Sequence, residues 1–220
     1  MLALPAHGFV MLSMPKCAST ALEEALGPRA EIVFKHNAQL KHLNCRTFYR
    51  TVGPTLRLAG YPRRDYELVC LFREPISWLE SWWRYRQDQR LARRADTSTF
   101  SGNLTFEEYT QRYLDGDATG AVVRGRPARF VSMKGEGFQV GMNRIFALEA
   151  PDVWQGWLQE KLGGGLVFPT ANRSRVQTPP ELSAALRRRL EEHFAPEYDI
   201  YEHLRPTGQW VPPRRYPAGG

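Results

Sequence analysis

Apolar and polar positions alternate along this chain in blocks that read as strand, then helix. A short apolar run from Phe9 to Met14 meets a turn, and Leu22 and Leu26 then repeat at helical spacing. This predicts a strand over 8–14 and a helix over 18–27. Further strands are expected over 31–34 and 66–72, with one or two helices across 44–58 between them. Pro75 opens a helix expected over 75–90, because its missing N–H costs nothing in a first turn. After a polar stretch to 104, Thr105-Phe106-Glu107-Glu108 forms a capping box and starts a helix to about Leu114. Residues 115–140, rich in Gly and Arg, predict a loop with one small helix. A strand over 144–149, a helix over 151–162 closed by Gly163-Gly164-Gly165, a short strand over 165–168 and a helix over 180–194 complete the pattern. Such alternation predicts an α/β fold, a single three-layer α/β/α domain with a central parallel sheet. Ligands of such sheets bind beyond the carboxyl ends of the strands.

Bulk properties narrow this picture. The 220 residues fit one domain over 1–210, and the Pro and Gly of Val211–Gly220 predict an undocked tail. No apolar run approaches the roughly 20 residues that span a bilayer. The N-terminus lacks the basic start and continuous apolar stretch of a signal peptide, so a cytoplasmic protein is the expectation. Three cysteines cannot all pair, and reduced thiols fit best. The net charge of +7 invites a nucleic-acid reading. Yet no nucleic-acid module accompanies the Arg clusters at 84–94 and 187–189, and an anionic ligand is motive enough for a positive cleft. Most of these arginines read as solvated helix faces.

Candidate chemistry begins at residues 8–26, GFVMLSMPKCASTALEEAL. Strand, tight turn and helix start can hold a phosphate-like anion, because the first N–H groups of a helix lack internal partners and lie at its positive end. Lys16 is a point charge in that turn, and Ser19 or Thr20 can cap the helix or donate to an anion. The Gly-rich loop G-x-x-x-x-G-K-[ST] is absent, with Cys17-Ala18 standing where glycines would be. Behind the strand over 66–72 come Arg73-Glu74-Pro75 and, eight positions after Arg73, Ser81. Arg73 can pair bidentately with a phosphate dianion. Ser81, two turns into the helix, adds a hydroxyl. Each piece alone has a bland reading: a capped β–turn–α connection, a surface Arg, a helix-face Ser. Two pieces in order, each at a strand-to-helix junction, count against the bland readings.

The arrangement P-K-C-A-S-T at 15–20 resembles the loop with which sulfotransferases grip the 5′-phosphosulfate of 3′-phosphoadenosine 5′-phosphosulfate (PAPS). L-F-R-E-P-I-S-W-L-E-S-W-W-R-Y at 71–85 looks like that family's 3′-phosphate signature, R-x-P-x-x-x-x-x-S. Weaker similarity continues through the strand ending in Glu149, through Asn172-Arg173-Ser174 and through Tyr198-Asp199-Ile200-Tyr201, so that it covers roughly residues 8–204. The resemblance implies the P-loop-like sulfotransferase fold and PAPS as sulfuryl donor. It puts Lys16, Cys17, Ala18, Ser19 and Thr20 on the 5′-phosphosulfate, and Arg73 and Ser81 on the 3′-phosphate. Because the sulfuryl group carries a single negative charge, no bridging metal is demanded.

In-line transfer to a hydroxyl or amine also needs a base. His42, in Leu40-Lys41-His42-Leu43, resembles a "K-H" element of one sulfotransferase branch and is favoured; His36, at the end of the second strand, is second. A structural role for both is the alternative. His7, His193 and His203 read as surface or capping residues, and Glu23 and Glu24 as solvated. The acceptor class stays open among saccharide, lipid, phenol and peptide, with Tyr85, Arg86, Arg90, Thr99, Phe100, Arg124 and Phe130 as candidates to line its site. Oligomeric state is not legible. Two other functions compete: a P-loop-like kinase of nucleotides or small molecules, and a non-catalytic basic protein that binds polyanions.

Overall fold

The computed structural model describes residues 1–87, 100–117, 119–133, 139–169 and 180–213. The chain opens with β1 (Leu2–Leu4), β2 (Phe9–Leu12), α1 (Ser19–Leu26) and β3 (Ile32–Val33). Three short helices follow, α2 (Ala38–Lys41), α3 (Cys45–Arg50) and α4 (Val52–Leu58), then β4 (Glu67–Phe72) and α5 (Pro75–Arg86). Next come α6 (Phe106–Leu114), α7 (Pro127–Val131) and a hairpin of β5 (Ser132–Met133) and β6 (Gln139–Val140). The last elements are β7 (Arg144–Ala147), α8 (Pro151–Leu162), α9 (Ala184–His193), α10 (Ala195–Leu204) and β8 (Gln209–Trp210).

Connection length decides strand direction. β1 and β2 are separated by four residues, which permits only an antiparallel hairpin, with Leu2 opposite Met11 and Leu4 opposite Phe9. The long helical excursions from β2 to β4 and from β4 to β7 allow parallel pairing, with Val10 beside Leu68 and Cys70 beside Ile145. β3 and β8 then close the two edges antiparallel to β1 and β7. The order is β3-β1-β2-β4-β7-β8, a mixed sheet whose parallel part is β2, β4 and β7. The expected parallel sheet is thus its centre, and the α/β class holds.

Alternate residues of β2 and β4 point to opposite faces, yet nearly all are buried, so both faces of the sheet are covered. On one face Trp157 of α8 packs edge-on against Phe9 and tilted against Phe146. Trp78 of α5 meets Phe194, which joins the middle of the chain to its last helices. Below α3, Gly141 leaves no room for a side chain. A Cβ there would stand 2.5 Å from the Cys45 sulfur.

The capping box at Thr105 forms as expected, with Glu108 N–H donating to the Thr105 hydroxyl and Thr105 N–H to the Glu108 carboxylate. The strand expected over 165–168 does not form. Gln159 of α8 satisfies the backbone of Leu166 with its own amide, at 2.8 and 3.1 Å, and Val167 is left 81% exposed. The helix expected over 180–194 starts at Ala184, and a second one, α10, follows over Ala195–Leu204, where no element was expected. All three cysteines are buried and unpaired. No helix among the described residues is long and apolar enough to cross a membrane. The undocked tail lies outside the described residues beyond Pro213, as do Arg90, Arg93, Arg94, Thr99 and Asn172-Arg173-Ser174.

Candidate functional site

The carboxyl ends of β2 and β4 are neighbours, so the two sequence motifs leave the sheet side by side. Two hydrogen bonds join them. Arg73 Nη1 donates to the Lys16 carbonyl at 3.4 Å, and the Trp78 indole N–H donates to the Pro15 carbonyl at 3.1 Å. Elements about sixty residues apart in the chain therefore fix one loop.

That loop is strained. Lys16 (φ 64°) and Ala18 (φ 52°) occupy left-handed backbone, which costs a residue with a Cβ about 1 kcal/mol or more each. They are the two non-glycine residues with positive φ among those described. The turn thus takes the type of backbone that a Gly-rich phosphate loop has, without its glycines. Ala18 is the N-cap of α1 and offers no side-chain acceptor. Ser19 and Thr20 sit inside the first turn and do not cap it, so the sequence expectation of a Ser-Thr cap is replaced by an open helix start. N–H groups at the start of α1 face outward at the positive end of the helix, which suits an anion.

Two cations border this opening. Lys16 sits over the Tyr85 ring at 4.2 Å and the Trp82 ring at 5.8 Å. Burial, and then the Arg73 charge, lower its pKa from 10.5 to about 8. Among the described residues neither Lys16 nor Arg73 lies within ion-pair distance of a carboxylate. The hydroxyl of Ser81, half-buried on α5, has no hydrogen-bond partner among the described residues, and Ser81 lies one turn from Tyr85 on the same helix face. Cys17, below the loop, is fully buried and its thiol is pushed up to about 12, chiefly by desolvation. Its role is to pack, and its backbone belongs to the loop.

Both histidines leave the sheet at this end, because β3 runs in the same direction as β2, but they differ in how they are held. His42 Nδ1 lies 2.7 Å from the Ser13 carbonyl, immediately after β2. A carbonyl only accepts, so Nδ1 carries the proton and Nε2 of the neutral ring keeps its lone pair. Burial lowers the His42 pKa below 6.5, and Lys41 and Lys16 lower it further against the bond to Ser13. His36 is exposed on the loop after β3. Glu23, expected to be solvated, is instead paired with Lys41 at 2.7 Å and Lys35 at 3.3 Å, which anchors the His42 segment to α1. His203 stacks on Trp210, and His193 packs edge-on against Tyr113.

The acceptor candidates divide. Tyr85 is 42% exposed beside Lys16, whereas Phe130 is buried in the core and Arg86 is buried with its guanidinium donating to the Gly120 carbonyl. Phe100 is half-buried. Sequence reasoning assigned no role to one group. Tyr198 and Tyr201 of α10 donate to Glu74 and Glu149 at the carboxyl ends of β4 and β7, at 2.6 and 3.2 Å. The two tyrosines entered the sequence reading only as part of the weak similarity at Tyr198-Asp199-Ile200-Tyr201.

A strained loop, an open helix start and two cations without a carboxylate partner among the described residues can hold an anionic group. Comparison of the chain with known protein families, with curated proteins and with solved structures finds no match.

Proposed function

We propose that this protein is a PAPS-dependent sulfotransferase with the three-layer architecture of that fold. The observation that carries the reading is the meeting of Lys16 and Arg73, two cations without carboxylate partners among the described residues, at an uncapped helix N-terminus. Like charges so close repel, and a bound polyanion turns that repulsion into attraction. In this reading the N–H groups at the start of α1, with Ser19, Thr20 and Lys16, hold the 5′-phosphosulfate, while Arg73 and Ser81 hold the 3′-phosphate. PAPS supplies an activated sulfuryl group. The acceptor oxygen or nitrogen attacks sulfur, the bond from sulfur to the phosphate oxygen breaks, and adenosine 3′,5′-bisphosphate leaves. Lys16 stabilises the charge growing on the leaving oxygen. His42, neutral and with Nε2 free to accept, takes the acceptor's proton.

The test is ligand-linked stability. At a hundredfold excess over Kd, adenosine 3′,5′-bisphosphate adds about 2.7 kcal/mol. For a domain of this size that raises Tm by roughly 5–10 °C. Arg73→Ala removes most of that shift. An unchanged shift in Arg73→Ala, or stronger stabilisation by magnesium–ATP than by the bisphosphate, sinks the assignment; the second result points to a kinase.

A further inference from the structure

Carboxylates stand close to the cations of the loop and yet do not pair with them. Glu74 follows Arg73 directly, and Glu149 Oε1 accepts the Glu74 N–H at 3.0 Å, which puts both acids within one peptide of Arg73. Each of the four carboxylate oxygens accepts a hydrogen bond from a group other than these cations. Glu74 Oε2 caps α5 by accepting the Ser77 N–H at 2.7 Å, and Glu74 Oε1 accepts the Tyr198 hydroxyl at 2.6 Å. Glu149 Oε2 accepts the Tyr201 hydroxyl at 3.2 Å. Both tyrosines are half-buried on α10, three residues apart and therefore on one helix face. The electrostatics show how near these groups lie: the Cys17 thiol feels Arg73 and Lys16, which favour its thiolate, and Glu149, which opposes it.

We infer that Tyr198 and Tyr201 are positioning residues for the anion site: by holding Glu74 and Glu149 they keep these carboxylates from neutralising Arg73 and Lys16. A guanidinium beside a free carboxylate closes on it, and an incoming anion must then displace the internal one. A neutral hydroxyl is the right tether, because it binds the carboxylate without adding a charge of its own to the site. The inference rests on the anion-site part of the proposed function and on nothing about sulfuryl transfer.

Inorganic pyrophosphate is the probe, titrated by calorimetry into the 220-residue chain. Tyr201→Phe removes one hydroxyl and keeps the ring, and weakens pyrophosphate binding about tenfold, the scale of one charge-assisted hydrogen bond. Adding Glu149→Gln restores the affinity to within about twofold of wild type, because an amide cannot form the competing ion pair. Tyr198→Phe with and without Glu74→Gln repeats the cycle at the second carboxylate, so one poorly folding variant does not stop the experiment. A purely structural role lowers Tm in all four variants without rescue of affinity, and that result overturns the inference. Unchanged affinity in both Tyr→Phe variants, or no pyrophosphate binding by wild type, overturns it equally. If wild type binds pyrophosphate but shows no preference for the 3′-phosphate nucleotide, the sulfotransferase reading fails while the tyrosine cycle stays readable.

Discussion

Lys16 keeps its proton against burial and against Arg73, in that order, and its pKa falls to about 8. The sign of the linkage follows. Between about pH 8 and 10.5 the unfolded chain holds a proton that the folded chain has lost, so this residue adds stability as pH rises through that window. Anion binding has the opposite dependence, since it needs the ammonium. Affinity for adenosine 3′,5′-bisphosphate is therefore expected to fall as pH climbs from 7 to 9, with proton uptake on binding near pH 8. Calorimetry in buffers of different ionisation enthalpy reads that uptake. Lys16→Arg, which cannot titrate in this range, flattens the limb. An equally flat profile in wild type would show that Lys16 does not face the anion.

At the scale of elements, the last helices matter more than their sequence suggests. Glu197 of α10 is fully buried, paired with Arg126, and it accepts the Ala128 N–H at 3.0 Å; Arg126 also donates to the His193 carbonyl. One carboxylate thus ties the entry of α7 to the α9–α10 corner. Glu197→Ala leaves a partly buried guanidinium without its counter-charge and is expected to cost about 3–5 kcal/mol in urea unfolding. A loss below 1 kcal/mol would show the pair to be dispensable. The sequence made the elements around the site legible where local chemistry and burial agreed: the apolar runs of β2 and β4, Pro75 at the start of α5, the box at Thr105. It failed where partners were remote. Leu2–Leu4 is too short to read as a strand before Pro5, although all three residues are buried. Leu166-Val167-Phe168 has a strand's composition, but a glutamine side chain takes the place of a neighbouring strand. The helical stretch at 184–204 is broken at Phe194, and Pro196 in the first turn of α10 starts it again. The Lys16 and Arg73 motifs were readable because each is local; the tyrosines that attend them belong to an element about fifty residues beyond β7.

The whole molecule depends on its first strand. β1 lies inside the sheet between β3 and β2, and it is the one described neighbour of β3. A chain lacking residues 1–7 exposes one side of β2, strands β3 and loosens the segment that carries His42. Loss of a cooperative thermal transition is the expected outcome, and a truncated chain that melts as wild type would refute this account of the sheet.

The strand order also bears on how the chain can be made. β1 and β2 are neighbours in sequence and in the sheet; taken in chain order, β3 lies on the open side of β1, β4 on that of β2, β7 on that of β4 and β8 on that of β7. No strand is ever inserted between two that have already paired. The sheet can therefore grow outward in the order of synthesis, each strand finding an unoccupied edge as it leaves the ribosome. The loop at Lys16 has its floor after the first seventy residues. Tyr198 and Tyr201 arrive only with α10, long after Arg73 and Glu74, so in the reading proposed above the tether of the carboxylates forms well after the loop they flank.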